Sequence, residues 1–283
     1  MIEKILLADS GTGHSEEMLK VLMGLPSIQR SSVAVLHVVS PQVSAEIMTA
    51  KWEEGGKFLA AAIQNLQLDP NRVTAILRQG EPKDVVCQVA DEIDADLIIM
   101  GSRGLKRLQS ILSNSVSQYV FQLSSRPMLL VKDDIYVKKI NRIMVAFDGS
   151  DAAKQCLRLA LFLLRDIKGG QLILVHVDKD LSGKAGEVPL STAEKDPVLA
   201  PAIAEAKKQG LQPICIPSRG RPGEEICRLA DEKNVDLLML GSPDRRPTVA
   251  KSFVDLDRLL GASLSDYVRV NANCPVLLAR TVG

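Results

Sequence analysis

Short apolar runs rich in β-branched residues recur along the chain, separated by longer stretches in which apolar residues return every three or four positions. In the first half the short runs cover residues 5–8, 33–39, 73–77, 97–100 and 128–131. In the second they cover 143–147, 172–177, 214–216, 237–240 and 276–279. Their length predicts strands, and their nearly unbroken apolar character predicts strands covered on both faces, as in a parallel sheet under helices. Helical spacing at 16–23, 45–66, 83–92 and 116–123 supplies those helices in the first half. Residues 179–201 contain Gly and Pro and read as a loop replacing part of the corresponding helix in the second. Strictly alternating strands and helices predict an α/β fold.

The two halves repeat one another. Gly80, Pro82, Ala90, Asp91, Asp96, Gly101 and Ser102 return as Gly220, Pro222, Ala230, Asp231, Asp236, Gly241 and Ser242, at a constant offset of 140. Further on, Asn114, Ser115 and Pro127 match Ala262, Ser263 and Pro275 at an offset of 148, so the second copy holds eight extra residues after Ser242. Near the start, Asp9 matches Asp148 and His37-Val38 matches His176-Val177, both at 139. The chain therefore reads as two copies of one domain, residues 1–138 and 139–283, each an open parallel sheet of five strands with helices on both faces.

Composition narrows the function classes. The 35 basic and 34 acidic residues leave a formal +1 over 283 residues, which supplies no excess charge for a nucleic-acid backbone. Apolar runs are cut by charges well short of a membrane span, and the start lacks a leader-like core, so a cytoplasmic protein with no membrane partner is expected. The five cysteines contain no CxxC pair and sit among apolar neighbours, as small buried hydrophobes do. No cluster of His, Cys or acidic residues has metal-ligand spacing, so any Mg²⁺ is expected to arrive on a ligand's phosphates. His37 and His176 end matching strands and read as structural; His14 reads as a solvated residue at a helix entry.

In an open parallel sheet, ligands bind beyond the carboxyl ends of the strands where the strand order reverses. The segments of interest are Asp9 with Ser10-Gly11-Thr12-Gly13-His14 after the first strand, and Gly101-Ser102-Arg103-Gly104 after the fourth, nine residues before Asn114-Ser115. Glycines let backbone amides approach an anion, and a helix start complements its charge. Taken alone, that Gly-x-x-Gly is equally a tight turn, and Asp9 equally a helix cap. No GxxxxGK[ST] is present, which excludes a Walker-type ATPase.

The Gly101-x-x-Gly104-x9-Asn114-Ser115 spacing, Asp9, His37-Val38, Gly80-Glu81-Pro82 and Arg126-Pro127 together resemble the universal stress protein family, and both copies are covered. The resemblance implies strand order 3-2-1-4-5 and, in one branch of the family, binding of ATP, ADP or AMP. Residue by residue it implies that Asp9 meets the ribose or adenine side and that Val38 meets adenine through its backbone. Gly101, Gly104, Asn114 and Ser115, with Ser102 and Arg103 in the same loop, would meet ribose and phosphates. Asn114 stands where the family has Gly. In the second copy Asp244 and Ala262 replace the second and third motif glycines, so phosphate affinity is expected to be lost there. The function implied is an adenine-nucleotide-binding regulatory or stress-response protein, with ATP hydrolysis slow at most. The rival readings are a nucleotide-free tandem scaffold and an adenylyl-transfer enzyme. Single-domain relatives dimerise, which implies an intramolecular pseudo-dimer here. The sequence leaves association of whole chains open and points to no particular protein partner.

Overall fold

The computed structural model describes residues 2–10, 14–102, 116–178, 189–242 and 263–280. The chain divides into two compact units with the boundary at Tyr136 and Val137. In the first, β1 (Lys4–Ala8), β2 (Ser32–Val39), β3 (Val73–Gln79), β4 (Leu97–Ser102) and β5 (Met128–Lys132) form a parallel sheet of order β3-β2-β1-β4-β5. In the second, β6 (Arg142–Ala146), β7 (Gln171–Asp178), β8 (Ile214–Arg219), β9 (Leu237–Gly241) and β10 (Val276–Ala279) repeat it as β8-β7-β6-β9-β10, again parallel. The expected order 3-2-1-4-5 is thus found in both copies.

The central strands are apolar because both their faces are covered. Ile5, Leu6, Leu7, Val35, Ile98 and Ile99 are shut off from solvent in the first unit, as are Ile143, Met144, Val145, Leu174 and Leu238 in the second. Each such side chain contributes about 1.5–3 kcal/mol of burial. The covering helices of the first unit are α1 (Ser15–Met23), α2 (Ala45–Leu66), α3 (Pro82–Glu92) and α4 (Val116–Leu123). Along α2 the buried residues Gly55, Leu59, Ala62 and Leu66 follow the helical repeat. The second unit carries α5 (Asp151–Leu164), α6 (Leu190–Ala193), α7 (Leu199–Lys208), α8 (Pro222–Glu232) and α9 (Leu264–Asn271).

The structure explains one repeated acid. Asp96 Oδ2 accepts from the backbone N–H groups of Glu3 and Lys4 at 2.8 and 3.0 Å, and Asp236 Oδ2 accepts from those of Asn141 and Arg142 at 2.8 Å each. In both copies this carboxylate pins the start of the first strand to the approach of the fourth.

Residues 179–201 depart from the expected loop. Within the described part, α6 forms and α7 begins at Leu199, because Asp196 Oδ1 accepts from the N–H groups of Val198 and Leu199 at 2.8 and 3.1 Å and so caps the helix. Pro201 falls in the first turn of α7, where its missing N–H has no intrahelical partner to lose. All five cysteines are free thiols, and burial pushes Cys156 up to about 12 and Cys87 and Cys215 up to about 11, which keeps those three thiols protonated. Among the described residues no helix is long and apolar enough to cross a membrane.

Candidate functional site

The order β3-β2-β1-β4-β5 places the reversal between β1 and β4, and a cavity of about 490 Å³ opens there beyond the strand ends. Asp9, Ser10, Val38, Gly101 and Ser102 stand on its walls, so the structure brings together every sequence-predicted site residue that it describes. The remaining ones, Arg103, Gly104, Asn114 and Ser115, lie outside the described residues.

Val38 reaches the wall through the arithmetic of a parallel ladder. The Asp9 N–H donates to the Leu36 carbonyl at 3.0 Å, just past the end of β1. Backbone groups facing one side of a strand recur every second residue, so the next N–H and C=O on that side belong to Val38, past the end of β1. Strand alternation thus turns the Val38 backbone towards the cavity that this residue lines. Apolar Met100 and Val86 contribute further lining.

The register corrects the match of Asp9 to Asp148. Ala8 lies opposite Leu36 as Ala146 lies opposite Val175, and Asp9 N–H bonds Leu36 as Phe147 N–H bonds Val175. Asp9 therefore occupies the place of Phe147, and exposed Ser10 the place of exposed Asp148. The offset is 138, which aligning the apolar runs, instead of the acids, reveals.

A carboxylate in a phenylalanine's position is only 6% exposed, and its surroundings respond. The Glu16 carboxyl, in the first turn of α1, hydrogen-bonds to Asp9 and is raised to about 7: partial burial is the main cause, followed by the hydrogen bond to Asp9 and the repulsion of its charge. A bond from the Asn65 side chain on α2 partly offsets this. Near neutral pH, Glu16 thus still holds its proton in part, beside the acid that walls the cavity.

His37, expected to be structural, is held by Asp9 as well, with Nδ1 3.1 Å from the Asp9 carbonyl oxygen. His176, at the matching place, instead puts Nδ1 3.2 Å from Asp196 Oδ2. His14 enters α1 half-exposed, its ring edge-on to Tyr136 at 5.8 Å and 3.7 Å from Glu17.

Gly241 is retained in the second copy for a packing reason. A Cβ there would stand 2.5 Å from the backbone nitrogen of Ala153 and 2.7 Å from the carbonyl carbon of Ala152, so the start of α5 needs a glycine against the end of β9. Glycine at this position is therefore not by itself a sign of a ligand. Pro82, known from the repeat, also lines the first cavity, as do Ser117 and Asp133, which sequence reasoning did not place at the site. Pro82 and Ser117 recur as Pro222 and Ser265, and Asp133 is the first polar residue past β5, held by its N–H on the Ser102 carbonyl at 3.1 Å.

A family model described as the universal stress protein family matches residues 1–132 and again 139–280. The chain belongs to the universal stress protein family. It is a tandem member, each match covering one copy. Among curated relatives it is 29% identical over 148 residues to universal stress protein YxiE of Bacillus subtilis, using 47% of this chain and all of that one. It is 30% identical over 139 residues to a Thermus aquaticus universal stress protein, again 47% of this chain and all of the relative. The crystal structure of a universal stress protein from Archaeoglobus fulgidus superposes with a TM-score of 0.75 at 23% identity, covering 98% of this chain and 96% of that one, which extends the likeness in fold to both copies.

At the matching end of the second copy of this universal stress protein, serine hydroxyls cluster at the start of α9. Ser263 Oγ caps α9 by accepting from the Asp266 N–H at 3.1 Å and donates to Asp266 Oδ2 at 2.6 Å, and Ser265 lies 3.0 Å from Ser263 and 3.4 Å from Ser242. The hydroxyls that would face a ligand there are engaged with one another. Asp244 and Ala262 lie outside the described residues.

Proposed function

We propose that this universal stress protein binds an adenine nucleotide in its first copy and works in the cytoplasm as a regulatory or stress-response protein whose output is occupancy. The observation that carries the reading is the cavity at the reversal of strand order, lined by Asp9, Val38, Gly101 and Ser102, towards which strand alternation would turn the Val38 N–H and C=O. A nucleobase edge that offers one donor and one acceptor meets such a pair directly, while Met100 and Val86 supply apolar surface for the ring. About 490 Å³ lies within the range of small-molecule sites. Ser10, Ser102 and the segment from Gly101 to Ser115 would hold ribose and phosphates, and Mg²⁺, where needed, would come with them. With Asp9 turned to Glu16, the nearest match to a ribose-facing acid is the Ser10 hydroxyl, which keeps the hydrogen-bonding capacity without the charge.

Binding without a positioned acid and base does not accelerate phosphoryl transfer, which is why occupancy and not turnover is the proposed output. Titration calorimetry of the full chain with AMP, and with ATP plus Mg²⁺, tests the reading. Saturable heat that disappears in Gly104→Asp is the expected result. No binding by either nucleotide at millimolar concentration would leave the nucleotide-free scaffold as the better account.

A further inference from the structure

A second cavity of about 500 Å³ lies on the α2 side of β2, and Ser10, His37 and Val38 line both it and the first. Its floor is Val39 and Gly55. A Cβ on Gly55 would stand 2.9 Å from Leu77 Cδ1 and 3.1 Å from His37 Cδ2, so α2 rests directly on the sheet at this point. Lys51 lies one turn before Gly55 and Phe58 one turn after it on the same helix face, and that contact carries both over the end of β2. The Phe58 ring packs against His37 with centroids 4.7 Å apart and planes tilted by 46°.

The chemistry of this annex differs from that of a phosphate site. Its one ammonium, Lys51, is 2.7 Å from Glu54, so the annex is electrically balanced. His37 is oriented by its contact with the Asp9 carbonyl. What remains is an aromatic and aliphatic surface with the Gln42 amide and the Ser40 segment at the rim, which suits an uncharged ring with a polar edge.

We propose that the annex receives a second, uncharged ring attached to the base of the bound nucleotide, so that the preferred ligand is a base-substituted adenine nucleotide. The inference rests on the nucleotide reading above, and the link is Val38. Val38 lines the first cavity, where the nucleotide reading puts the base, and lines the annex as well, so a substituent on the base edge nearest Val38 is directed towards the annex. A singly substituted amino group keeps one N–H to donate to the Val38 carbonyl.

Calorimetry on the full chain with AMP and with N6-benzyl-AMP tests this. Both ligands are expected to bind, the benzyl derivative about tenfold more tightly, the size of a good aromatic contact. Phe58→Leu keeps the apolar bulk and should erase that gain while leaving AMP affinity unchanged, with circular dichroism confirming the fold. Equal or weaker binding of the benzyl derivative, or a gain that survives Phe58→Leu, overturns the annex alone. Failure of both ligands to bind overturns the nucleotide reading and the annex together.

Discussion

At the scale of single residues, the substitution that matters most is Asp9 in the place that Phe147 fills in the second copy. It brings a carboxylate into a position built for an apolar ring, and Glu16 answers by holding its proton up to about pH 7. Below about 4.5, Glu16 is protonated in folded and unfolded chains alike. Between about 4.5 and 7 the folded chain keeps a proton that the unfolded chain has released, so this group's contribution to stability is lost as pH rises through 7. Because much of the carboxyl remains within reach of water, the effect is about 1 kcal/mol and not the full value of the shift. Urea unfolding of Glu16→Gln against wild type between pH 5 and 8 should show a variant that loses this slope and is the more stable above pH 7. Parallel curves at every pH would remove the account of a retained proton. Asp9→Asn should lower the Glu16 midpoint toward the ordinary carboxylate range, as read by carboxyl carbon shifts in NMR, and an unmoved midpoint would show that burial alone sets it.

At the scale of elements, Asp96 and Asp236 make equivalent paired contacts to the backbone of β1 and β6. Asp96→Ala and Asp236→Ala should each cost about 2 kcal/mol, since each removes a charged acceptor from two N–H groups near the protein surface. Denaturant unfolding checks this, and a cost below about 0.5 kcal/mol, typical of an unremarkable surface site, would contradict it. These strands were legible in the sequence because a parallel strand buried on both faces writes itself as an unbroken apolar run; their order was implied by the family resemblance, which the repeat extended to both copies. Less legible was the segment before Leu199, where a side chain, Asp196, decides between loop and helix, and composition points to loop. Of the candidate site, Asp9, Val38, Gly101 and Ser102 could be singled out from the sequence, and the structure gathers them around one cavity. The site's detail was not legible, because matching acid to acid shifted β1 by one residue against a ladder whose two-residue alternation tolerates no such slip.

At the scale of the whole molecule, the repeat raises the question of how many ligands one chain holds. One is expected. Two unit charges 4 Å apart repel by about 1 kcal/mol in water and about 4 kcal/mol at an effective dielectric of 20, so Asp244 in the second copy's loop sequence opposes a phosphate. In the described part of that copy, Ser263 and Ser265 are already bonded to their neighbours. Calorimetry with ATP and Mg²⁺ should therefore give a stoichiometry near one, and a value near two would refute the asymmetry. Gly104→Asp, which introduces an acid at the position where the second copy has one, should abolish that single strong site with an unchanged far-UV spectrum.

The exchange of Phe147 for Asp9 at one register position also bears on inheritance. In an assembly of identical subunits every mutation is written into all sites at once, so a change that harms one harms them all. Joining two copies in one reading frame lifts that constraint. One half can acquire a buried acid and a sensitivity to protons while the other keeps an aromatic plug, and selection judges each separately.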